Sequence, residues 1–457
     1  MRIIIFGTGK IYAKYREKLS EMNIVAFLDN DADKQGTYLD NRPIDLPENI
    51  VRYDYDYIFI TSVHYKEMRK QLESQGVDSE FIIDAGHKGY WEKIRKIKKY
   101  DLMENSVADK KILLVTHDFS LTGAPLMLYY AAKILKEKGY GVTVYSKSDG
   151  PLKHDYLSNG ISVSVFSDYN FSDYEIRQYF LGYHMILANT VVLLELVGKI
   201  QKAETPVMWW LHEEHNVYEE YQIKELPGYP KLSVYCVSRR AVASYEKYSG
   251  NGNAKQLVYG IPQEIFRKQE SCKRYGRKMI YAIIGCVSER KGHDIFIASI
   301  EKNWDKWKDN AEFWVIGIIT ESQRKEMEAI GKVRVFGSMD HGDLIKIYSE
   351  IDVVVCPSRN DPMPVVLAEA MMNKKICIAS DMTGTAEKII PYENGLICRA
   401  GDVGSLSEQI DWTLEHKEQL ESMGKKAYEV YRQNFSQEQF QRNLFQIVDS
   451  LTDVKEA

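Results

Sequence analysis

The chain has 457 residues, of which 44% are apolar and 27% charged, and its formal net charge is −5. This length suggests about three domains, and the slight negative charge gives no indication of a nucleic-acid-binding protein. The six cysteines are scattered, without a Cys-x-x-Cys pair or a Cys/His cluster, which is typical of a reducing cytoplasm.

Apolar runs alternate with helical patterns along the whole chain, which predicts an α/β fold with parallel, doubly wound sheets. We divide it into residues 1–88, a basic linker at 89–109, residues 110–270, residues 271–434 and an amphipathic helix within 435–457. The opening MRIIIFGTG is interpreted as a strand and a glycine turn, not as a signal peptide. The longest apolar run, residues 180–197, is broken by polar residues, which favours a strand and a helix over a membrane span.

The first section has predicted strands at residues 3–6, 24–28, 57–61 and 81–83. Gly7 and Gly9 follow the first strand, and Asp29 follows the second, where an acid could bind a ribose. Tyr12 replaces the third glycine of a dinucleotide fingerprint. Nucleotide binding (NAD included), protein docking and a structural role all remain open, and we favour docking or structure.

The segment at residues 88–100 carries six cations and one acid, with Tyr90, Trp91, Ile94 and Ile97 at helical spacing. Such a segment could lie on an anionic membrane surface at the inner face of the cell membrane. The alternative is a linker helix that packs its apolar side chains against a lobe.

The second section has predicted strands at residues 111–116, 142–145, 185–188, 207–211 and 233–237. Gly123 lies in the loop after its first strand, just before a helix predicted near Pro125, and a glycine lets the backbone approach a ligand closely. His212 follows the strand at 207–211, at the edge where parallel sheets bind ligands. A structural histidine is the competing interpretation, and His117 and Asp118 are lesser candidates for ligand contacts.

The third section follows a charged segment at residues 263–277, where we place the linker between two lobes, and it begins with a strand at 279–285. Arg290 and Lys291 come before the next helix and place positive charge where a diphosphate leaving group would need it. A solvated charge cluster at a helix start is the alternative.

The sequence DPMPVVLAE, residues 361–369, follows a strand at 353–356. Pro364 opens a helix that contains Glu369, and a strand followed by a helix N-terminus favours anions. Asp361 and Glu369 could hold two parts of one polyhydroxylated ligand. A second strand at 376–379 leads to Thr383, Gly384 and Thr385 at another predicted helix start. Together these features suggest a nucleotide-sugar pocket.

The run that includes Phe336-Gly337, Pro357-Ser358, Glu369-Ala370-Met371, Asn394-Gly395 and Gly401-Asp402 resembles the donor half of glycosyltransferase family 4. Members of this family are retaining enzymes with the two-lobed GT-B fold, and the resemblance extends over about residues 110–457. The family's two glutamates, separated by seven residues, correspond to Asp361 and Glu369, so the first is an aspartate here.

The resemblance implies roles for the second-lobe residues. Asp361 would contact the hydroxyls of the donor sugar and Glu369 those of the ribose, with Met363 and Pro364 at the same donor site. Lys291 matches a lysine that pairs with the donor phosphates. Cys286 stands where the family has an arginine, so Arg290 is a candidate for the second cation.

The resemblance also implies contacts from elsewhere in the chain. Gly123 would face the donor diphosphate, His212 the donor sugar, and the amides near residues 383–385 the diphosphate. The C-terminal helix would cross back onto the first lobe. The first section is similar to a short Rossmann-like domain attached to several polysaccharide-synthesis enzymes.

The expected function is therefore metal-independent hexosyl or deoxyhexosyl transfer in cell-surface polysaccharide or glycoconjugate biosynthesis. The donor would be a nucleoside-diphosphate sugar, the acceptor a glycan, a lipid-linked glycan or a glycoprotein, and no cofactor is expected. The string Asp31-Ala32-Asp33 lies outside the predicted cleft, so no metal site is assigned to it. Two alternatives stay open: a non-catalytic nucleotide-binding partner of a glycan synthase, and another nucleotide-dependent transferase or phosphorylase.

Overall fold

The computed structural model describes residues 2–20, 22–86, 97–100, 110–166, 168–203, 205–250, 252–262, 277–339 and 341–452. The chain divides into two compact units, Met1–Lys96 and Ile97–Ala457. Three mainly parallel sheets with intervening helices form these units, one sheet in the first unit and two in the second. The predicted α/β class is therefore confirmed.

The first unit is a six-stranded sheet with helices between its strands. Its elements are β1 (Arg2–Phe6), α1 (Lys10–Ser20), β2 (Asn23–Leu28), β3 (Tyr38–Leu39), β4 (Arg42–Asp45), β5 (Tyr57–Ile60), α2 (Tyr65–Ser74) and β6 (Ile82–Ile83). The strand order is β3-β4-β2-β1-β5-β6, and every pair is parallel except β3 with β4. Ile3, Ile4, Ile5 and Phe6 are all buried, because helices and loops cover both faces of this central strand.

The basic segment predicted at residues 88–100 is described only at its end. Residues 88–96 lie outside the described residues, whereas β7 (Ile97–Tyr100) is a strand that pairs antiparallel with residues 163–166. The helical interpretation does not hold for these four residues. Contact of the segment with a membrane stays a prediction.

The first lobe of the second unit is an eight-stranded sheet with its helices. After β7 it contains β8 (Lys111–Thr116), α3 (Gly123–Glu137), β9 (Gly141–Ser146), α4 (Leu152–Ser158), β10 (Ser162–Phe166), α5 (Asp173–Phe180), β11 (Met185–Asn189), α6 (Leu194–Ile200), β12 (Val207–Leu211), α7 (His215–Glu220), β13 (Leu232–Cys236), α8 (Arg239–Ser249) and β14 (Lys255–Gln256). The strand order is β14-β13-β12-β11-β8-β9-β10-β7. All pairs except β10 with β7 are parallel, so the strand ends that carry Thr116 and Leu211 lie at one edge of the sheet.

The second lobe repeats this plan with six parallel strands. It contains β15 (Met279–Ile284), α9 (His293–Trp307), β16 (Ala311–Ile316), α10 (Glu321–Ile330), β17 (Arg334–Phe336), α11 (His341–Glu350), β18 (Val353–Cys356), α12 (Val365–Met372), β19 (Ile376–Ser380), β20 (Leu396–Cys398), α13 (Val403–Glu415) and α14 (Lys417–Asn434). The strand order is β17-β16-β15-β18-β19-β20. Strands β3, β4, β10, β14, β16 and β17 were not predicted from the sequence.

The chain passes between the lobes at two adjacent places. Ile261 leaves the first lobe and forms a parallel bridge with Ser436, and its amide donates to the Phe435 carbonyl (2.8 Å). The Tyr431 hydroxyl donates to the Ile261 carbonyl (2.8 Å). Of the interlobe linker predicted at residues 263–277, only residue 277 is among the described residues.

The last helix, α15 (Gln437–Thr452), packs on the first lobe. Phe440 stacks on Trp210 with 5.4 Å between ring centroids, and the Tyr140 hydroxyl donates to Asp449 (3.0 Å). A Cβ on Gly260 would lie 2.5 Å from Phe440 Cβ, so this close approach requires a glycine. Helix α15 therefore fastens the second crossing to the sheet that carries His212.

We expect Phe440→Ala to lower the free energy of unfolding of the second unit by about 3–5 kcal/mol, because it leaves a cavity against Trp210. Gln446→Ala, at an exposed position of the same helix, should change it by less than about 0.5 kcal/mol. Urea unfolding followed by tryptophan fluorescence measures both. Equal effects of the two substitutions would contradict the packing role of α15.

Candidate active site

A cavity of about 350 Å³ lies between the two lobes of the second unit. The first lobe contributes the start of α3 and the segment after β12, and the second lobe contributes the turns before α9 and α12. The lining residues are Thr122, Gly123, Ala124, Met127, His212, Glu213, Asn216, Val217, Glu220, Val237, Tyr259, Arg290, Lys291, Asn360, Asp361, Pro362, Met363 and Val365. The cavity thus brings together Gly123, His212, Lys291 and Asp361, four residues from separate predicted motifs.

The start of helix α3 forms one wall of the cavity. Gly123 is its first residue and is exposed, and the Thr122 side chain does not cap the helix. A Cβ on Gly123 would lie 3.8 Å from Val365 Cγ2, so the starts of α3 and α12 face each other across the cleft. The first amides of a 15-residue helix carry a partial positive charge, and an anion between the lobes would meet it.

His212 follows β12 and is a neutral histidine. Burial and the nearby His117 lower the pKa of His212 to about 3. Its ring lies against Trp210, with 4.7 Å between centroids, and within the described part of the chain its Nε2 has no hydrogen-bond partner. A neutral imidazole with a free nitrogen can exchange a hydrogen bond with a hydroxyl group but contributes no charge toward a phosphate.

Glu213 also lines the cavity, although it was not among the residues predicted from the sequence. Its Oε2 accepts hydrogen bonds from the amides of Val191 (3.1 Å) and His212 (2.9 Å), and burial raises its pKa to about 7. The nearby Asn216 Oδ1 has no partner among the described residues. Its position in the sequence could have identified Glu213 as a site residue, because it is the second residue after a strand that ends at the ligand-binding edge of the sheet.

Lys291 and Asp361 form an ion pair inside the cavity. Gly292, the residue after Lys291, lets the turn before α9 lie close to Pro357. Its φ is +76°, and a Cβ there would lie 2.3 Å from the Pro357 carbonyl oxygen. Arg290 Nη1 donates to the Asn360 carbonyl (2.9 Å), so the neighbouring cation lies along the same turn. Cys286, where the family resemblance expects an arginine, is exposed and is not among the lining residues.

The turn that carries Asp361 is held by the segment after β19. The Asp361 amide donates to the Met382 carbonyl (3.2 Å), and the Gly384 amide donates to the Asp361 carbonyl (2.9 Å). Thr383 and Thr385 are fully buried, and the Thr385 hydroxyl contacts Met363 Sδ (3.4 Å).

The amides of Thr383 and Gly384 are therefore already bonded to the protein, the former to the Ser380 carbonyl (3.2 Å). Residues 383–385 therefore support the turn that carries Asp361. Of the other two predicted residues here, Met363 lines the cavity and Pro364 precedes the first residue of α12.

Glu369 lies within α12 and has only 5% of its surface exposed. Its Oε2 accepts a hydrogen bond from the Tyr348 hydroxyl (2.8 Å), and burial raises its pKa to about 7. Glu369 is not among the lining residues of the cavity. The two carboxylates of the motif therefore differ, because Asp361 has a cation and Glu369 has a neutral hydroxyl.

A polar bridge joins the lobes beside the cavity. Glu214, whose side chain is 1% exposed, accepts hydrogen bonds from Arg240 Nε (3.1 Å) and Nη2 (3.0 Å). Asn360 Nδ2 of the second lobe donates to the same carboxylate (3.0 Å). Arg240 also reaches across, since its amide donates to Glu387 (3.3 Å). This bridge fixes Asn360, the residue before Asp361.

The candidate nucleotide residues of the first unit bond to other residues of that unit. Asp29 accepts hydrogen bonds from the amide and hydroxyl of Thr8 and from Lys34 Nζ (3.0 Å). Burial acts to raise the pKa of Asp29, but these bonds and the Asp31 amide outweigh it, so its pKa lies below the usual value. Gly7 has φ +105°, whereas space beside Gly9 is open. Ligand binding here stays a prediction.

The described residues contain no group of three or more His, Cys, Asp or Glu side chains arranged to hold a metal ion. Within the same residues, no helix is both long and apolar enough to cross a membrane.

Comparison with known families gives three matches. The model described as "Glycosyl-transferase family 4" matches residues 108–247, and "Glycosyl transferases group 1" matches residues 264–430. The model "C2185-like, N-terminal" matches residues 1–83. The first two matches cover one lobe each of the second unit.

Individual glycosyltransferases are also similar to this chain in sequence or in structure. The D-rhamnosyltransferase WbpZ of Pseudomonas aeruginosa is 31% identical over 107 residues, which are 23% of this chain and 28% of that enzyme. The structure of Anabaena HepE in complex with UDP and glucose has a TM-score of 0.64 at 17% identity, over 75% of this chain and 100% of HepE. Sucrose-phosphate synthase from Thermosynechococcus elongatus gives 0.63 at 17% identity, over 76% and 100%. These likenesses confirm the predicted GT-B fold.

We expect Glu214→Ala to lower the free energy of unfolding by about 2–4 kcal/mol, because it leaves Arg240 and Asn360 without their shared partner. Glu225→Ala, at an exposed position of the same lobe, should change it by less than about 0.5 kcal/mol. Thermal or urea unfolding measures both, and a neutral result for Glu214→Ala would show that the bridge is not formed in solution.

The raised pKa of Glu369 predicts a pH dependence of stability. The folded protein binds this proton more tightly than the unfolded chain, whose glutamate titrates near 4.5, so stability falls as the pH rises from 4.5 to about 7. We expect a loss of about 2–3 kcal/mol over this range. Glu369→Gln keeps an acceptor for Tyr348 and should remove this contribution from the profile while leaving that of Glu213, as urea unfolding at several pH values would test. A profile unchanged by the substitution would contradict the raised pKa of Glu369.

Proposed function

Since glycosyltransferase family 4 and group 1 models match the two lobes of this chain, which has the GT-B fold, we propose that it transfers a sugar from a nucleoside-diphosphate sugar. The acceptor is a glycan, a lipid-linked glycan or a glycoprotein, and the anomeric configuration is retained. One observation carries the proposal: Lys291 and Asp361 of one lobe face the start of α3 and His212 of the other within one cavity.

The proposed donor site binds the diphosphate between opposing positive groups. Lys291 supplies a full charge, and the first amides of α3 at Gly123 supply a partial one from the other lobe. Arg290 lines the cavity and adds a second cation at the turn. The HepE structure is a complex with UDP and glucose, which supports a uridine or related nucleotide donor by analogy.

The sugar is bound by hydrogen-bonding groups at the middle of the cavity. The Asp361 carboxylate accepts bonds from sugar hydroxyls, and neutral His212 offers its unpaired Nε2. Glu213 and Asn216 lie beyond His212 on the same wall and suit a further hydroxyl of the donor or the acceptor. The WbpZ match favours a hexose or deoxyhexose as the transferred group.

The reaction exchanges one glycosidic bond for another. The bond from the anomeric carbon to the phosphate oxygen breaks, and the acceptor oxygen attacks from the same face. The acceptor's proton passes to the departing phosphate, so no side chain is assigned as a general base. Lys291 and the α3 amides stabilise the charge that develops on the leaving diphosphate, which is where electrostatic stabilisation contributes most. Closing of the lobes excludes water from the reacting carbon.

Purified protein mixed with UDP-, GDP- or dTDP-sugars and a polysaccharide or lipid-linked acceptor should release nucleoside diphosphate. Proton NMR of the product should show the anomeric configuration of the donor. Tight donor binding without any diphosphate release would favour the non-catalytic partner of a synthase instead.

We expect Lys291→Ala to reduce kcat/KM for the donor by about 10²–10³, because one charge at the leaving group is lost. Lys302→Ala, on the exposed face of α9, serves as the charge-matched control and should retain the wild-type rate. Continuous detection of released diphosphate measures both variants. Equal rates for all three proteins would remove Lys291 from the donor site.

A further inference from the structure

The ion pair between Lys291 and Asp361 lies in the lining of the cavity. The Asp361 side chain is 9% exposed and that of Lys291 is 23% exposed, so water screens the pair only in part. In the proposed function these two residues serve different parts of the donor: Lys291 binds phosphate and Asp361 binds the sugar. Without a donor, each neutralises the other.

Asp361 has little freedom to find another partner. Its amide and carbonyl are both held by the segment after β19, through Met382 (3.2 Å) and Gly384 (2.9 Å). The adjacent Arg290 is committed to the Asn360 carbonyl, and Arg359 pairs with Asp294 (2.6 Å). If the phosphates of a ligand bind Lys291, Asp361 loses its cation. It is then a buried, unpaired carboxylate close to the negative charge of the ligand.

The two forms of the nucleotide differ in what they offer to Asp361. A nucleoside-diphosphate sugar brings hydroxyl donors to the carboxylate at the same time as its phosphates engage Lys291. A nucleoside diphosphate brings only the phosphates, so it breaks the ion pair and leaves Asp361 unpaired. A buried carboxylate that loses its partners weakens binding strongly.

We propose that Asp361 competes with the phosphates for Lys291 and thereby makes the site select the intact donor over the free nucleoside diphosphate. This inference rests on the proposed function and adds a specificity role to it. This competition favours dissociation of the product diphosphate, because sugar transfer removes the hydroxyls that donated hydrogen bonds to Asp361. The ion pair then re-forms as the diphosphate dissociates.

Isothermal titration of the full chain tests this with three ligand pairs: UDP and UDP-glucose, GDP and GDP-mannose, and dTDP and dTDP-glucose. The quantity of interest is the ratio of the two dissociation constants, diphosphate over intact donor. In Asp361→Asn we expect the diphosphate to bind at least about tenfold tighter than to the wild type, and the ratio to fall by at least about tenfold. Asp361→Ser provides a second uncharged variant if the first does not fold.

Two further variants separate this role from a structural one. Asp361→Glu keeps the charge and should keep the ratio within about threefold of the wild type. Asp411→Asn breaks an ion pair with Lys306 (2.8 Å) outside the cavity and should leave both constants unchanged. A general loss of packing would weaken both ligands and would not tighten the diphosphate.

The outcomes are distinct. Diphosphate affinity that is equal or weaker in the uncharged variant that folds overturns the inference but leaves the proposed function standing, provided that the wild type binds a donor. Failure of the wild type to bind any member of the three pairs overturns both.

Discussion

The buried carboxylate of Glu214 is the contact on which the geometry of the cleft depends. It is bonded to Arg240 of its own lobe and to Asn360 of the other, and almost none of its surface reaches water. A carboxylate in this position must keep its partners, because an unpaired charge there is costly. Asp361 follows Asn360 in the chain, so the contact between Glu214 and Asn360 also positions one end of the ion pair with Lys291.

The two acids of the DPMPVVLAE motif show how surroundings divide similar side chains between different tasks. Asp361 lies at the cavity, where it is paired with the cation of Lys291. Glu369 lies about one turn into α12, where burial raises its pKa to about 7 and the hydrogen bond donated by the Tyr348 hydroxyl offsets this only in part. His212 and Glu213 form a second such contrast: burial removes the charge of the histidine fully and that of the glutamate in part. The cavity is consequently less charged than its residue types suggest.

Much of the cleft was predictable, because the positions of Gly123, His212, Lys291 and Asp361 at strand ends place them at the binding edges of two parallel sheets. Contacts between lobes were not predictable, since the Glu214–Asn360 bond joins residues 146 positions apart and depends on how the lobes meet. Local pattern also misled at Ile97–Tyr100, where pairing with β10 overrides the helical spacing. Gly384 looked like a free amide donor, but its amide is taken by the Asp361 carbonyl, a tertiary contact that composition does not reveal.

Helix α15 has a consequence for how the protein is made. The first lobe precedes the second in the chain, yet its surface around Trp210 and Tyr140 is covered by Phe440 and Asp449. During translation that surface stays open while the ribosome synthesises the whole second lobe, at least until Thr452 has left the exit tunnel. The first lobe can therefore form its sheet early but completes its packing last. Over that interval the nascent chain exposes the apolar surface at Trp210, which is the kind of surface that chaperones bind.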